Sequence, residues 1–132
     1  MTENPNGQQT VLDSITGRII GAAIEVHRHL GPGLLEATYS QCLCLELGLG
    51  ELRFSSQELL PLVYKSITIP RAYKPDLLVE NAVVVELKTV EKILPVHEAQ
   101  VLTYMKLSGM SAGLLINFNS VPLKTGIRRF NK

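Results

Sequence analysis

Residues 83–88 read Val-Val-Val-Glu-Leu-Lys, an apolar segment with two charged residues near its end. Its β-branched apolar run is typical of a central strand that is buried on both faces. Glu86 and Lys88 are two residues apart, so both side chains leave the same face of that strand. Burying a carboxylate or an ammonium group costs free energy unless the group is paired or holds a metal ion. We therefore expect Glu86 and Lys88 to have specific partners.

The segment before this strand places a second carboxylate beside it. Residues 77–79 read Leu-Leu-Val, and Glu80-Asn81 between two apolar runs is a plausible hairpin loop. If the hairpin is centred on Asn81, Asp76 lies opposite Glu86, with Cβ atoms about 4.5–5.5 Å apart. Two carboxylates this close need a shared proton or a cation, and Mg²⁺ accepts one or two carboxylates together with waters and phosphate oxygens.

Lys88 adds a basic group to this pair. Beside a bound ion, its amine can orient or deprotonate a water, or neutralise charge on phosphorus. The alternative interpretation is an ion pair between Glu86 and Lys88 at a strand end, with Asp76 in a turn. The opposed Asp76 and the apolar character of the strand favour the metal site.

Apolar residues outside this hairpin repeat at helical or strand spacing. The pattern predicts helices over residues 13–30, 34–47 and 96–107, strands within residues 59–69 and at 113–118, and a strand or loop at 127–130. Prolines favour a position near a sheet edge for the first of these strands. The order α-α-β-β-β-α-β predicts an α/β fold with a mixed central β-sheet flanked by helices.

Length and composition limit the protein classes. The chain has 132 residues, so we expect a flexible polar tail over residues 1–10 and a single domain over residues 11–132. Thirteen Lys and Arg against 12 Asp and Glu give a net charge of +1. This balance excludes binding to nucleic acid by overall charge alone, so any contact with a polyanion must come from a local site.

The chain carries no sequence signal for secretion or membrane insertion. Cys42 and Cys44 do not form a disulfide framework, and residues 1–10 lack the basic and then apolar layout of a signal peptide. No apolar run approaches the roughly 18 residues that a membrane span needs. We expect a protein of the reducing cytoplasm that makes no membrane contact.

The spacing of Pro75-Asp76 and Glu86-Leu87-Lys88 resembles the motif of the PD-(D/E)XK nuclease superfamily, and the predicted element order resembles its restriction-endonuclease-like core. Over residues 15–129 the chain resembles one branch, the small bacterial family called GxxExxY proteins. The motifs that carry this resemblance are G-x-x-E-x-x-Y at residues 33–39, His-Glu-Ala-Gln at residues 97–100 followed by Tyr104, and Gly-Leu-Leu-Ile-Asn-Phe at residues 113–118. Several separate motifs in the same order make the resemblance specific.

The resemblance implies a catalytic metal site at the end of the hairpin. It implies catalytic roles for Asp76, Glu86, Lys88, Glu36 and Gln100. It also implies Mg²⁺ or Mn²⁺ held by Asp76, Glu86, the Leu87 backbone carbonyl and Glu36, the last directly or through water. From the residues alone, Glu36 is equally a solvated carboxylate in the first turn of a helix, where the helix dipole favours it.

Six further residues are candidates for weaker substrate contacts: Tyr73, Lys74, His97, Tyr104, Arg128 and Arg129. His97 and Tyr104 share one helix face with Gln100, because the three lie three and four residues apart. The alternatives are that His97 caps the helix, that Tyr73 packs on the sheet, and that the arginines are a solvated cluster.

The preferred function is a metal-dependent nuclease that hydrolyses phosphodiester bonds of DNA or RNA. A homodimer is a further expectation, because nucleases of this size often dimerise to span both strands. Two other classes stay open. One is a non-catalytic module on the same fold that binds nucleic acid or protein, and the other is a small-molecule binding or signalling domain that uses a pocket between Glu36 and Lys88.

Overall fold

The chain alternates helices and strands in the computed structural model, which describes residues 5–132. The helices are α1 (Pro5–Leu30), α2 (Glu36–Leu49) and α3 (Pro95–Ser108), and a 3-10 turn covers Leu123–Gly126. The strands are β1 (Phe54–Ser56), β2 (Leu60–Tyr64), β3 (Ile67–Tyr73), β4 (Leu77–Val79), β5 (Val83–Lys88), β6 (Ala112–Asn117) and β7 (Ile127–Asn131).

Strand β5 is the centre of a five-stranded sheet whose order is β1-β4-β5-β6-β7. It pairs with β4 antiparallel and with β6 parallel, so the sheet is mixed. Residues 83–87 are all buried, as the β-branched run predicts for a strand covered on both faces. The predicted α/β fold with a mixed central sheet and flanking helices is confirmed.

Alternate residues of the sheet enter two cores. Helices α1 and α2 cover one face, where Val83, Val85 and Leu87 pack in a large apolar cluster. Helix α3 covers the other face, and its Val101 and Met105 pack with Val84 of β5. Because side chains alternate along a strand, Glu86 and Lys88 leave β5 on the α3 face. The two helical layers therefore meet the charged end of β5 from opposite sides.

Strands β2 and β3 form a separate two-stranded sheet, which we call the β2–β3 ribbon. Both are edge strands, as their prolines predict, but they do not form the edge of the main five-stranded sheet. The three-residue strand β1, which the sequence did not predict, occupies that edge beside β4. A strand this short offers too little alternation to be recognised from its pattern.

Helix α1 begins at Pro5, so residues 5–10 are helical rather than part of the predicted tail. Residues 1–4 of that predicted tail lie outside the described residues. Residues 8–10 are polar and exposed, and Gln9 Nε2 donates to Asp13 Oδ1 (2.9 Å), so no apolar stripe marks this part of the helix. None of the helices within residues 5–132 has the length and apolar character that crossing a membrane requires.

Gly113 permits the close packing of α3 on β6. A Cβ atom at this position would lie 2.5 Å from Val101 Cγ1 and 2.7 Å from Met105 Sδ. Contacts this short require the helix or its side chains to move, because buried atoms are already close-packed.

We expect Gly113→Ala to lower the free energy of unfolding by about 1–3 kcal/mol, since overpacking forces shifts in the core. Thermal or urea unfolding measures the change. Gly17→Ala in α1 is the matched control, because a Cβ there meets nothing within 4 Å and alanine favours a helix. Equal melting temperatures for the two variants would contradict the packing argument.

Candidate active site

The β4–β5 hairpin brings Asp76 and Glu86 together as predicted. Leu77 pairs with Val85 and Val79 pairs with Val83, so the hairpin is centred on residue 81. One step beyond the last pair, Asp76 lies opposite Glu86. Glu80 and Asn81 both have left-handed backbones (φ 52° and 50°), which suits a tight hairpin turn.

The two carboxylates are held by backbone groups of the neighbouring strand. The Asp76 N–H donates to Glu86 Oε1 (2.8 Å), and the Leu87 N–H donates to Asp76 Oδ2 (2.8 Å). Glu86 is only 3% exposed. Burial, together with the adjacent Asp76 carboxylate, raises the pKa of Glu86 to about 8, while the Asp76 N–H and the Lys88 ammonium act in the opposite direction. The Asp76 N–H and Lys88 thus do not fully offset the cost of ionising this buried carboxyl group.

Glu36 reaches the same place from helix α2. A cleft of about 510 Å³ lies between the start of α2 and the ends of β1, β4 and β5, and Glu36, Gln57, Asp76 and Leu87 contribute to its lining. Partial burial raises the pKa of Glu36, the Asp76 carboxylate adds to this effect, and Lys88 opposes it. Glu36 is therefore within electrostatic reach of both residues and is not the freely solvated carboxylate of the alternative interpretation.

Tyr39 explains the G-x-x-E-x-x-Y pattern. Its hydroxyl donates to the Gly31 carbonyl (2.5 Å) and accepts from the Leu34 N–H (3.1 Å). Its ring is buried and stacks on Phe118, with centroids 4.5 Å apart. Gly31 and Gly33 take positive φ angles of 67° and 99°, which a residue with a side chain rarely adopts. The tyrosine thus fixes the turn before α2 and, through it, the position of Glu36.

Lys88 is held by helix α3 rather than by a carboxylate. Its ammonium donates to Gln100 Oε1 (2.9 Å), and Gln100 Nε2 donates to the Tyr104 hydroxyl (3.3 Å). Tyr104 in turn packs against Tyr73, with ring centroids 5.3 Å apart. Among the ion pairs of residues 5–132 none involves Lys88, so the predicted alternative of a Glu86–Lys88 ion pair is not what the structure contains.

Tyr73 and Tyr104 pack against each other, and Tyr104 contacts Gln100, the residue that holds Lys88. Tyr73 is 8% exposed, and burial with Tyr104 beside it raises the pKa of its hydroxyl. This agrees with the alternative that Tyr73 packs on the sheet. Lys74, the next residue, is exposed.

The remaining weak candidates are not gathered at the site. His97 Nδ1 accepts from the Leu94 N–H (2.9 Å), so this ring caps the start of α3. Arg128 and Arg129 lie on β7, two strands away from β5. Arg129 pairs with Asp13 of α1, and Arg128 donates to the Thr125 carbonyl (3.0 Å).

Two polar residues at the site were not predicted from the sequence. Gln57 donates from Nε2 to Asp76 Oδ1 (3.1 Å) and from its N–H to the Asp76 carbonyl (3.0 Å), with a left-handed backbone (φ 57°). Asn117, 2% exposed, accepts from the Val90 N–H (3.0 Å) and donates to the Val90 carbonyl (2.8 Å). Gln57 orients Asp76, and Asn117 fixes the chain just after Lys88. Gln57 lies in no recognisable sequence pattern. Asn117 falls within the motif at residues 113–118, but the motif does not indicate its role.

The donor atoms at the hairpin end fit a hard divalent cation. Asp76 and Glu86 offer carboxylate oxygens, and a cation beside them would favour the ionised form of Glu86 that burial disfavours. Extending the strand register places Leu87 opposite Pro75, which has no N–H to donate to the Leu87 carbonyl. Within residues 5–132 no three His, Cys, Asp or Glu side chains gather as a metal site. The fit therefore rests on two carboxylates and one carbonyl, a set that suits an ion retaining waters.

Comparison with known proteins adds one finding. A family model of the PD-(D/E)XK nuclease superfamily matches residues 13–130. No curated protein and no solved structure shows a significant match to the chain. The match covers nearly the whole described fold, and the five-stranded mixed sheet with helices on both faces agrees with a restriction-endonuclease-like architecture. The chain therefore belongs to the PD-(D/E)XK nuclease superfamily.

Proposed function

We propose that this protein is a metal-dependent nuclease that hydrolyses phosphodiester bonds of nucleic acid with Mg²⁺ or Mn²⁺. The observation that carries the proposal is a pair of hydrogen bonds across the β4–β5 hairpin: the Asp76 N–H donates to the Glu86 carboxylate, and the Leu87 N–H donates to the Asp76 carboxylate. It keeps two carboxylates together at one end of a buried strand, where like charges destabilise the pair unless a cation or proton is present. Membership of the nuclease superfamily supports the same reaction class.

The proposed ligands are Asp76, Glu86 and the Leu87 carbonyl, with Glu36 acting through a water. When bound, the dication supplies Lewis-acid chemistry and a template for the attacking water and the phosphate oxygens. The roles of the protein residues are to hold these groups in place. Gln57 and the Leu87 N–H orient the Asp76 carboxylate, and the Asp76 N–H orients Glu86.

Lys88 supplies the positive charge that acts on the substrate. Its ammonium can hold a water in line with phosphorus, or stabilise the negative charge that develops on the phosphate oxygens. The hydrogen bond to Gln100 restricts this long side chain to one position. Ordering the lysine before substrate arrives lowers the entropic cost of the reaction.

We also infer membership of the GxxExxY branch, because Tyr39 and Glu36 in that motif have connected structural roles. Bacterial origin goes with that branch as a proposal. We also propose a cytoplasmic location, as the sequence signals suggest, and a homodimeric state, which is common among nucleases of this size. A non-catalytic binding module and a small-molecule domain differ from the nuclease in their response to metal ions and nucleic acid.

The first test combines cleavage with metal binding. In a panel of single- and double-stranded DNA and RNA, we expect cleavage with Mn²⁺ or Mg²⁺ and none in EDTA. We expect Asp76→Asn to lower the rate by at least about 100-fold, since one metal ligand and its charge are lost. The same variant should abolish the rise in melting temperature that the ions give the wild type, because a ligand stabilises only the state that binds it.

Asp13→Asn is the matched control, because it makes the same chemical change at an exposed position of α1. It should retain cleavage and the metal-induced shift. Cleavage by Asp76→Asn at the wild-type rate would contradict the proposal. Nucleic-acid binding that ignores both metal ions and Asp76→Asn would indicate the binding module. Thermal shifts with metabolites alone would indicate the small-molecule domain.

The raised pKa of Glu86 predicts how metal-free stability depends on pH. The ordinary value is 4.5 and the folded value is about 8, so the folded chain keeps a proton that the unfolded chain releases. The stabilising contribution of this proton is complete below the pKa of the unfolded chain and is lost as the pH rises through the pKa of the folded chain. Between about pH 5 and 8, the free energy of unfolding therefore falls by up to about 1.4 kcal/mol for each unit by which the pH rises.

Urea unfolding in EDTA at a series of pH values measures this contribution. Glu86→Gln keeps an acceptor for the Asp76 N–H but binds no proton, so its stability should fall less steeply than that of the wild type. Subtracting the two curves removes the contribution of the histidines. Parallel curves would show that Glu86 is already ionised in the folded state.

Gln100 is expected to act through Lys88. Gln100→Ala removes the acceptor of the ammonium, so we expect kcat to fall by about 10-fold while KM changes little. In a Lys88→Ala background the same substitution should have almost no further effect, because residues that act as a unit are not additive. Leu102→Ala, a 48% exposed position on α3, controls for changes to the helix. Additive effects of the two substitutions would contradict the positioning role.

A further inference from the structure

The β2–β3 ribbon extends beyond the rest of the fold. All residues from 63 to 71 are exposed, including the apolar Val63 at 66% and Ile67 at 65%. The two strands pair with each other and with no strand of the main sheet. Exposed apolar side chains that are grouped together are typical of a surface that binds a partner.

The ribbon is one of two basic segments in a nearly neutral chain; the other is residues 99–132, where Arg129 is paired with Asp13. Residues 59–75 contain Lys65, Arg71 and Lys74 and no aspartate or glutamate, whereas the whole chain has a net charge of +1. All three basic side chains are exposed, and none forms an ion pair within the part of the chain that the structure describes. This distribution favours an anionic partner.

The ribbon leads directly into the candidate active site. Strand β3 ends at Tyr73, three residues before Asp76. A register shift between Leu60 and Leu62 marks a bulge, and Arg71 opposite it has a left-handed backbone (φ 56°). Ile67 lies six positions before Tyr73 along β3, which is about 20 Å at strand spacing. The tip therefore lies at a distance of about six base pairs of duplex, at 3.4 Å per pair.

We propose that the ribbon enters the major groove of double-stranded DNA about six base pairs from the phosphodiester bond that is cleaved. The inference rests on the proposed function and specifies its substrate as duplex DNA. The major groove of B-form DNA is about 12 Å wide and admits a two-stranded ribbon, while the minor groove is about 6 Å wide. The deep, narrow major groove of A-form RNA excludes such an element.

The side chains of the ribbon suit this groove. Lys65 and Arg71 are placed to contact phosphates along its length, one at the tip and one near the base. Leu62, Tyr64, Ile67 and Ile69 share one face, because Leu62 pairs with Ile69 and Tyr64 pairs with Ile67. Apolar side chains in the major groove contact thymine methyl groups. The basic residues thus provide affinity, and the apolar face contacts the bases.

A second copy of the chain fits the same surface less well. A two-fold interface brings the same residues together from both subunits. Ribbons paired in this way would place three uncompensated cations on each side, since residues 59–75 hold no carboxylate. Like charges across an interface oppose association.

The test measures binding in EDTA, so that it does not depend on cleavage. Fluorescence anisotropy with a 20-base-pair DNA duplex, the matching RNA duplex and the single strand gives the affinity between about 50 and 200 mM salt. Lys65→Gln with Arg71→Gln should weaken binding to duplex DNA by about 10- to 100-fold and reduce the salt slope by about two, since each phosphate contact contributes about 0.9. Lys106→Gln on α3 with Lys132→Gln after β7 makes the same charge change outside the ribbon and should alter neither value.

Both double variants replace exposed side chains with polar ones, so we expect the core to remain intact. Their melting temperatures check this. Ile67→Ser should weaken duplex binding with an unchanged salt slope. Wild-type binding by the Lys65 and Arg71 variant, or an equal loss on RNA and single strands, would overturn the proposal. The proposal would also be overturned if sedimentation showed that Ile67→Ser converts a dimer to a monomer while the affinity for DNA stays the same. Duplex binding through the ribbon without cleavage would overturn the nuclease proposal alone.

Discussion

The candidate site depends on one exchange of hydrogen bonds between adjacent strands. The Asp76 N–H binds the Glu86 carboxylate, and the Leu87 N–H binds the Asp76 carboxylate. These bonds act where the regular β4–β5 ladder ends, so side-chain oxygens replace carbonyls as acceptors. Two carboxylates that would otherwise repel each other are held in fixed positions. The sheet thus uses its own backbone donors to maintain an electrostatically unfavourable pair at the end of its central strand.

The surrounding elements keep that end of β5 in place from three directions. Tyr39 fixes the turn before α2 and brings Glu36 toward Asp76. Gln100 on α3 holds the Lys88 ammonium from the opposite face. Asn117 binds both polar backbone groups of Val90 and so determines where the chain goes after β5. Most of the residues in these contacts are buried or partly buried, which favours a rigid site on a rigid sheet.

Sequence patterns predicted the parts of this site that depend on short-range geometry. Strand alternation and a hairpin centred on Asn81 are local features, and together they suffice to place Asp76 opposite Glu86. The contact of Gln57 with Asp76 was not predictable, because it depends on β1, a strand too short to show alternation. The ion pair of Arg129 with Asp13 joins the two ends of the chain, and no local pattern encodes it. Long-range contacts between side chains therefore required the structure.

The parallel pairing of β5 with β6 has a consequence for synthesis on the ribosome. Strand β5 is complete at residue 88, but its second neighbour is supplied by residues 112–117, after α3. A nascent or truncated chain that ends before β6 exposes the edge of a strand whose residues 83–87 are all buried in the complete fold, and such edges promote aggregation. It also lacks the Asn117 contact that positions the chain after Lys88. A partly made chain is therefore prone to self-association before the charged cluster is fully assembled.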